Sequence, residues 1–200
     1  MIEPSPLNKK IRNYALILGS GSPRRKRFLE EMGLDFKVQP KSVEEIYPDY
    51  LKGKEISDYL AELKATPFKT NLKSNEIVLT SDTVVWHNNR SLAKASDKNE
   101  AFEMLRTLSG DWHEVITSVC FTTKTSQQTV NETTKVKFTE FTDDEINYYI
   151  DSCNPFDKAG AYGIQEWIGM IGISEIKGSY TNVVGLPTHL VYKTLTSMVS

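Results

Sequence analysis

The stretch Leu18-Gly19-Ser20-Gly21-Ser22-Pro23-Arg24-Arg25-Lys26-Arg27-Phe28-Leu29-Glu30-Glu31 constrains this chain most. The apolar run 14–18 before it has the length of a buried strand. Ser22 is a good helix N-cap, and Pro23 stands at the first helical position, where proline is favoured. Strand, tight turn, helix is therefore the local fold. Cations fill the start of that helix, where the macrodipole is positive and carboxylates are expected. Lys26 and Arg27 can pair with Glu30 and Glu31 one turn on. Arg24 and Arg25 face Phe28 and Leu29 at that spacing and have no local partner. Two such arginines beside free backbone N–H groups make a site for an anion. A solvated basic helix start is the bland alternative, since no full P-loop or dinucleotide fingerprint is present.

The second anomaly is the run 77–86, Ile-Val-Leu-Thr-Ser-Asp-Thr-Val-Val-Trp. Alternation puts Val78, Thr80, Asp82, Val84 and Trp86 on one face. An aspartate amid β-branched residues is costly to bury alone, so Asp82 calls for a cation or metal beside it. The alternative is a bulge, or an aspartate capping a neighbouring loop, but no glycine or proline is near to make that turn.

The remaining pattern is mixed α/β. Strands are expected at 36–39, 112–123 and 129–140, the last two an antiparallel pair, with a hairpin at Asn88-Asn89 leading into 91–94. Helices are expected at 55–64, after Asp97 and Glu100, from Thr142 and Glu145 to about 152, and after Pro187. Residues 168–176 and 180–184 read as strands around the Lys177-Gly178-Ser179 turn. Residues 1–12 lack the apolar centre of a signal peptide and read as a disordered lead-in. With 200 residues and no linker or repeat, one domain over 1–200 is expected.

Composition narrows the partners. A net charge of −2 gives no global reason to bind nucleic acid or an anionic membrane, so phosphate binding must be local. No apolar run approaches the ~20 residues of a membrane span. Two cysteines, Cys120 and Cys153, cannot make a disulfide framework and read as free thiols of the cytoplasm. Neither a serine nucleophile elbow nor a CxxC or HExxH zinc motif is present. His87, His113 and His189 read as packed or surface histidines, and Tyr162 and Trp167 as core more than base-stacking aromatics. What is left is the cradle at 20–25, lysines at element ends (Lys64, Lys94, Lys158) and the acids Glu45 and Asp82. That set suits phosphoanhydride chemistry, which is mostly positioning and charge neutralisation.

Ser20-Gly21-Ser22-Pro23-Arg24-Arg25, Ser81-Asp82-Thr83-Val84-Val85, Leu108-Ser109-Gly110 with His113-Glu114-Val115 and Thr117, the run from Asp157 to Gln165, and Gly178-Ser179-Tyr180 with Asn182-Val183-Val184-Gly185-Leu186-Pro187 follow one another in order. Together they resemble the Maf family of nucleoside triphosphate pyrophosphatases, from about residue 14 onward. The resemblance implies an elongated mixed sheet with flanking helices, two lobes around a central cleft, as in Maf and ITPase-like proteins. It also implies cleavage of a nucleoside triphosphate between its α and β phosphates with a divalent cation, magnesium or manganese. By position, Asp82 is the proton acceptor, a metal ligand, or both. Ser22, Arg24, Lys64 and Lys94 hold the triphosphate, and Glu45 helps bind the metal. Arg25, Thr83 and Gln165 match the family branch acting on dTTP and UTP, and a glutamine amide suits a pyrimidine edge. The partner implied is a nucleoside triphosphate, without nucleic acid or membrane, and a homodimer is left open. A house-cleaning enzyme for modified pyrimidine nucleotides and a non-catalytic nucleotide-binding regulator of septum formation are the alternatives. Ala95 replaces a usual proline, and Cys153-Asn154 a usual glycine-glutamate pair.

Overall fold

The computed structural model describes residues 3–199. Its seven-stranded sheet has the order β2-β1-β3-β5-β6-β7, with β4 added on the free side of β3. These are β1 (Ala15–Leu18), β2 (Phe36–Val38), β3 (Glu76–His87), β4 (Arg90–Leu92), β5 (Trp112–Thr122), β6 (Gln127–Phe138) and β7 (Ile173–Lys177). β1 runs parallel to β2 and β3, whereas β3, β5, β6 and β7 are antiparallel neighbours. Asn88 and Asn89 make the β3–β4 hairpin with φ of 47° and 60°, left-handed values that asparagine tolerates. Asn154, at φ 47°, likewise ends α5 (Asp143–Cys153). A left-handed cap suits asparagine.

Two apolar clusters lie at opposite ends of β3. One joins Leu16, Leu18 and Ile77 to Leu29 of α2 (Pro23–Glu31) and to Val191 and Leu195 of α8 (Thr188–Met198). The other joins Val85 and Phe138 to Leu105 and Leu108 of α4 (Lys98–Leu108) and to Ile146 and Tyr149 of α5. These are the two lobes. Between them, α3 (Lys54–Ala65) lies across the sheet, with Ile56 and Leu60 against Val84 and Ala61 against Cys120. Val78, Thr80, Asp82 and Val84 share the face under α3 and the short 3₁₀ turn after it, as alternation requires: Val78 packs on Phe68, and the Thr80 hydroxyl donates to the Ala61 carbonyl.

Three expectations are corrected. Residues 6–11 are not disordered but form α1 (Pro6–Ile11), capped by Ser5, with Leu7 and Ile11 buried against the first cluster. Burying two such side chains is worth roughly 1.5–3 kcal/mol each, enough to hold a helix too short to stand alone. Residues 1 and 2 of that lead-in lie outside the described residues. The run 168–176 is not one strand: α6 (Trp167–Gly172) comes first, and the chain becomes extended only at β7. Residues 180–184 form α7 (Tyr180–Val184), because the Ser179 side chain accepts from Asn182 N and Gly185, at φ 120°, stops the helix. Capping chemistry there overrides the β-branched composition.

Candidate active site

The cleft follows from strand pairing. β1 pairs with β3 only at Glu76 to Leu79, and β4 pairs with it only from Val85 to His87. Between them, residues 80–84 of β3 have an open edge, with the first lobe on one side and the second on the other. A cleft of about 720 Å³ opens over this edge. A site at the carboxyl end of a parallel strand, before a helix N-terminus, is where α/β sheets bind anions.

The cradle forms one wall. Gly19 follows β1 and donates its N–H to the Leu79 carbonyl. A Cβ there would lie 2.8 Å from Thr80 Cγ2 and 3.1 Å from the Phe68 ring, so only glycine passes. Ser22 caps α2 by accepting from Arg25 N, as its position predicts. The exposed Gly21 N–H has no partner among the described residues.

The two arginines part company, and neither is unpartnered. Arg24 reaches across the cleft, its Nη1 3.0 Å from Asp157 Oδ2. Burial alone would raise the Asp157 carboxyl, but hydrogen bonds from Lys158 and Arg24 outweigh it and hold Asp157 below the usual carboxylate range. Arg25 turns inward. Its Nε donates to the Gly185 carbonyl, Nη1 to Ser20 Oγ and the Ser81 carbonyl, and Nη2 to Thr83 Oγ1. All four acceptors are neutral. Burial lowers its guanidinium from the usual value, with the field of Asp82 acting the other way. A guanidinium remains charged at neutral pH regardless, so the cleft keeps a positive charge that no carboxylate touches.

Opposite stands the acidic group. Asp82, 7% exposed, accepts from Lys64 Nζ at 2.6 Å through Oδ1. Lys64 comes from α3, and its Nζ also lies 3.1 Å from Glu45 Oε2 in the long loop before α3. Asp82 Oδ2 makes no hydrogen bond among the described residues. Lys94 enters beside β4, fixed by a backbone bridge to Ala159, and its ammonium has no ion-pair partner among the described residues. Gln165 lines the second lobe's wall, exposed, its amide likewise without a partner. All nine candidate residues therefore border one cleft: Ser22, Arg24, Arg25, Glu45, Lys64, Asp82, Thr83, Lys94 and Gln165.

Behind that wall runs a chain of side chains of which the sequence singled out only Lys158 as a candidate, and the structure spends its ammonium inside the protein. Lys158, nearly buried, pairs with Asp157 at 2.6 Å and Glu166 at 2.9 Å. Tyr149 donates to Glu166 and accepts from Gly163 N. Burial, and then Glu166, push the Tyr149 phenol up, so it stays protonated as a donor. Asp157 and Lys158 lay within a quoted motif, but Glu166 and Tyr149 carried no local signal.

A mixed α/β fold with a cation-lined cleft and one buried carboxylate defines a protein built to hold a polyanion beside an acid. The Maf-like protein family model matches residues 15–198, and the chain belongs to that family. It is 52% identical over 193 residues to a dTTP/UTP pyrophosphatase of Flavobacterium johnsoniae, covering 96% of this chain and all of that one. With the dTTP/UTP pyrophosphatase of Flavobacterium psychrophilum it shares 55% over 186 residues, or 93% and 95% of the two chains. A solved nucleoside-triphosphatase / dITP/XTP pyrophosphatase of Mycobacterium abscessus aligns over 90% of this chain and 92% of its own at 12% identity and a TM-score of 0.43, too loosely to carry an argument.

Proposed function

We propose that the cleft hydrolyses dTTP and UTP to the monophosphate and pyrophosphate. The observation that carries this is the buried Asp82 carboxylate, with one oxygen unspent, in one cleft with Arg24, Arg25 and Lys94. The names of the relatives at about half identity support the same reading.

In this mechanism the α2 N-terminus, Ser22 and Arg24 take the phosphate tail, with Lys94 on the far side. Arg24 exchanges Asp157 for phosphate oxygen. Asp82 Oδ2 accepts a proton from a water whose oxygen bonds to the α-phosphorus. The α–β anhydride bond breaks, and pyrophosphate leaves with the bonding electron pair. Lys64 orients Asp82 through Oδ1 and offsets negative charge at the phosphorus. Arg25, Thr83 and Gln165 face the base.

Among the described residues no cluster of three or more histidine, cysteine or acidic side chains could cage a metal. The pair Glu45 and Asp82 fits a hard cation that takes one or two carboxylates and completes its shell with phosphate oxygens and water, as magnesium does. These two residues would hold it, and there it would neutralise phosphate charge.

The test is pyrophosphate release from purified protein with magnesium or manganese across dTTP, UTP, CTP, ATP, GTP and 5-methyl-UTP. The highest kcat/KM is expected on dTTP and UTP. Binding without release would replace the enzyme by a nucleotide sensor.

A further inference from the structure

Thr83 presents a hydroxyl to the cleft whose proton is already committed. Thr117 Oγ1, on β5, donates to the Asn182 carbonyl at 2.9 Å. A hydroxyl has one proton, so the 3.0 Å contact between Thr83 and Thr117 must run with Thr83 as donor. Arg25 Nη2 in turn donates to Thr83 Oγ1 at 3.1 Å. The bonds point one way: Arg25 to Thr83 to Thr117 to Asn182. The far end is fixed, because Asn182 Nδ2 donates to the Val115 carbonyl and to Thr134 Oγ1, both at 2.9 Å. Thr134 also accepts from Ser179 N, tying the cap of α7 to β6. Asn182 and Thr117 are fully buried.

We propose that this one-way relay makes Thr83 an acceptor toward the bound base, selecting the N3–H imide of uracil or thymine against cytosine. Thr117 is the positioning residue that sets it, and the inference rests on the pyrimidine nucleotide reading above. Uracil and thymine offer a donor at N3 between two carbonyls. Cytosine offers a lone pair there, beside an amino donor. A Thr83 whose proton points into the protein has only a lone pair left for the ligand, which matches the imide and opposes cytosine. Arg25 adds to the match: of its five N–H groups, four are spent inside the protein, and one remains for a base carbonyl.

The experiment measures kcat/KM for UTP and CTP by pyrophosphate release in the wild type and in Thr117→Val, which leaves the Thr83 proton without its acceptor and free to turn outward. The UTP-to-CTP ratio is expected to fall about tenfold, mainly by a rise on CTP. Thr117→Ser keeps the relay and should keep the wild-type ratio. A merely structural role for Thr117 would instead lower both substrates together. Thr117→Ala deletes the same hydroxyl with less bulk and is read in the same way if the valine variant does not fold. Unchanged ratios in the deletion variants, or equal losses on both nucleotides, overturn the relay while the substrate reading stands. A wild type that does not favour UTP over CTP overturns both.

Discussion

Asp82 Oδ1 and Lys64 Nζ lie 2.6 Å apart on the cleft floor, a near-buried pair joining β3 to α3. The lysine offsets much of the cost of burying the carboxylate, and removing Lys64 strands Asp82, whereas Lys64 keeps Glu45 when Asp82 is removed. Asp82→Asn keeps shape and loses the proton acceptor. Turnover should drop by about 10²- to 10⁴-fold, while nucleotide binding, followed by calorimetry, persists. Lys64→Ala leaves Asp82 unpaired and should destabilise the fold by roughly 1–3 kcal/mol, less than a fully buried pair because the site opens on solvent. The Lys64→Ala/Asp82→Ala double variant should recover part of that loss in urea melts without recovering activity. Additive losses would show that the two side chains are not coupled.

Arg24 and Asp157 span the cleft mouth, half in solvent, so their ion pair adds well under about 1 kcal/mol to stability. Its weight falls on binding instead. Arg24→Ala should leave the melting temperature within a degree or two, yet raise KM for dTTP about tenfold, the scale of one charge-assisted hydrogen bond. Raised salt should narrow the gap between variant and wild type. A KM equal to that of the wild type would remove Arg24 from phosphate recognition.

How much of this was legible depends on whether a partner is near in sequence. The cradle, the Ser22 cap, the capping box at Thr142 and Glu145, and the odd carboxylate in β3 are local signals, and each stands where the sequence puts it. α1 was legible too: Ser5-Pro6 is the same cap-and-proline pair as Ser22-Pro23, obscured by the polar residues around it. α7 was hidden because Tyr-Thr-Asn-Val-Val favours strand until Ser179 and Gly185 close it at both ends. Apart from Ser20, five residues from Arg25, the partners of the arginines lie far off in sequence. Arg25 meets a carbonyl 160 residues on, and Arg24 a carboxylate 133 residues on, contacts that only the assembled sheet creates.

Gly19 links the first lobe to the cradle at a point with no spare volume. A methyl at 2.8 Å from Thr80 Cγ2 and 3.1 Å from Phe68 must displace one of them or the turn itself. Gly19→Ala should therefore cost about 1–3 kcal/mol, the range for overpacking a filled core. It should also raise KM more than the more open Gly21→Ala, whose Cβ would find only Pro40 Cβ, at 3.8 Å. Thermal melts and steady-state kinetics on the two variants together check this, and equal behaviour would contradict it.

His113 gives the fold a pH limit. Its imidazole is buried, hydrogen-bonded to Tyr162 and tilted against Phe138. Burial, and then the nearby His87, lower its pKa to about 3. An unfolded histidine titrates near 6.5, so between those values the unfolded chain holds a proton that the folded one refuses. Stability then falls as pH drops, losing about 2 kcal/mol between pH 7 and pH 5. Asp157, Asp111, Glu100 and Glu145, also held low by their hydrogen bonds, contribute in the same direction mainly below the ordinary carboxylate range, so His113 dominates the upper part of the window. Urea unfolding at pH 7, 6 and 5 should show that slope in the wild type. His113→Gln, which keeps a polar group near Tyr162 but does not titrate, should be less stable at pH 7 yet nearly flat across the window. A variant as acid-sensitive as the wild type would place the titrating group elsewhere.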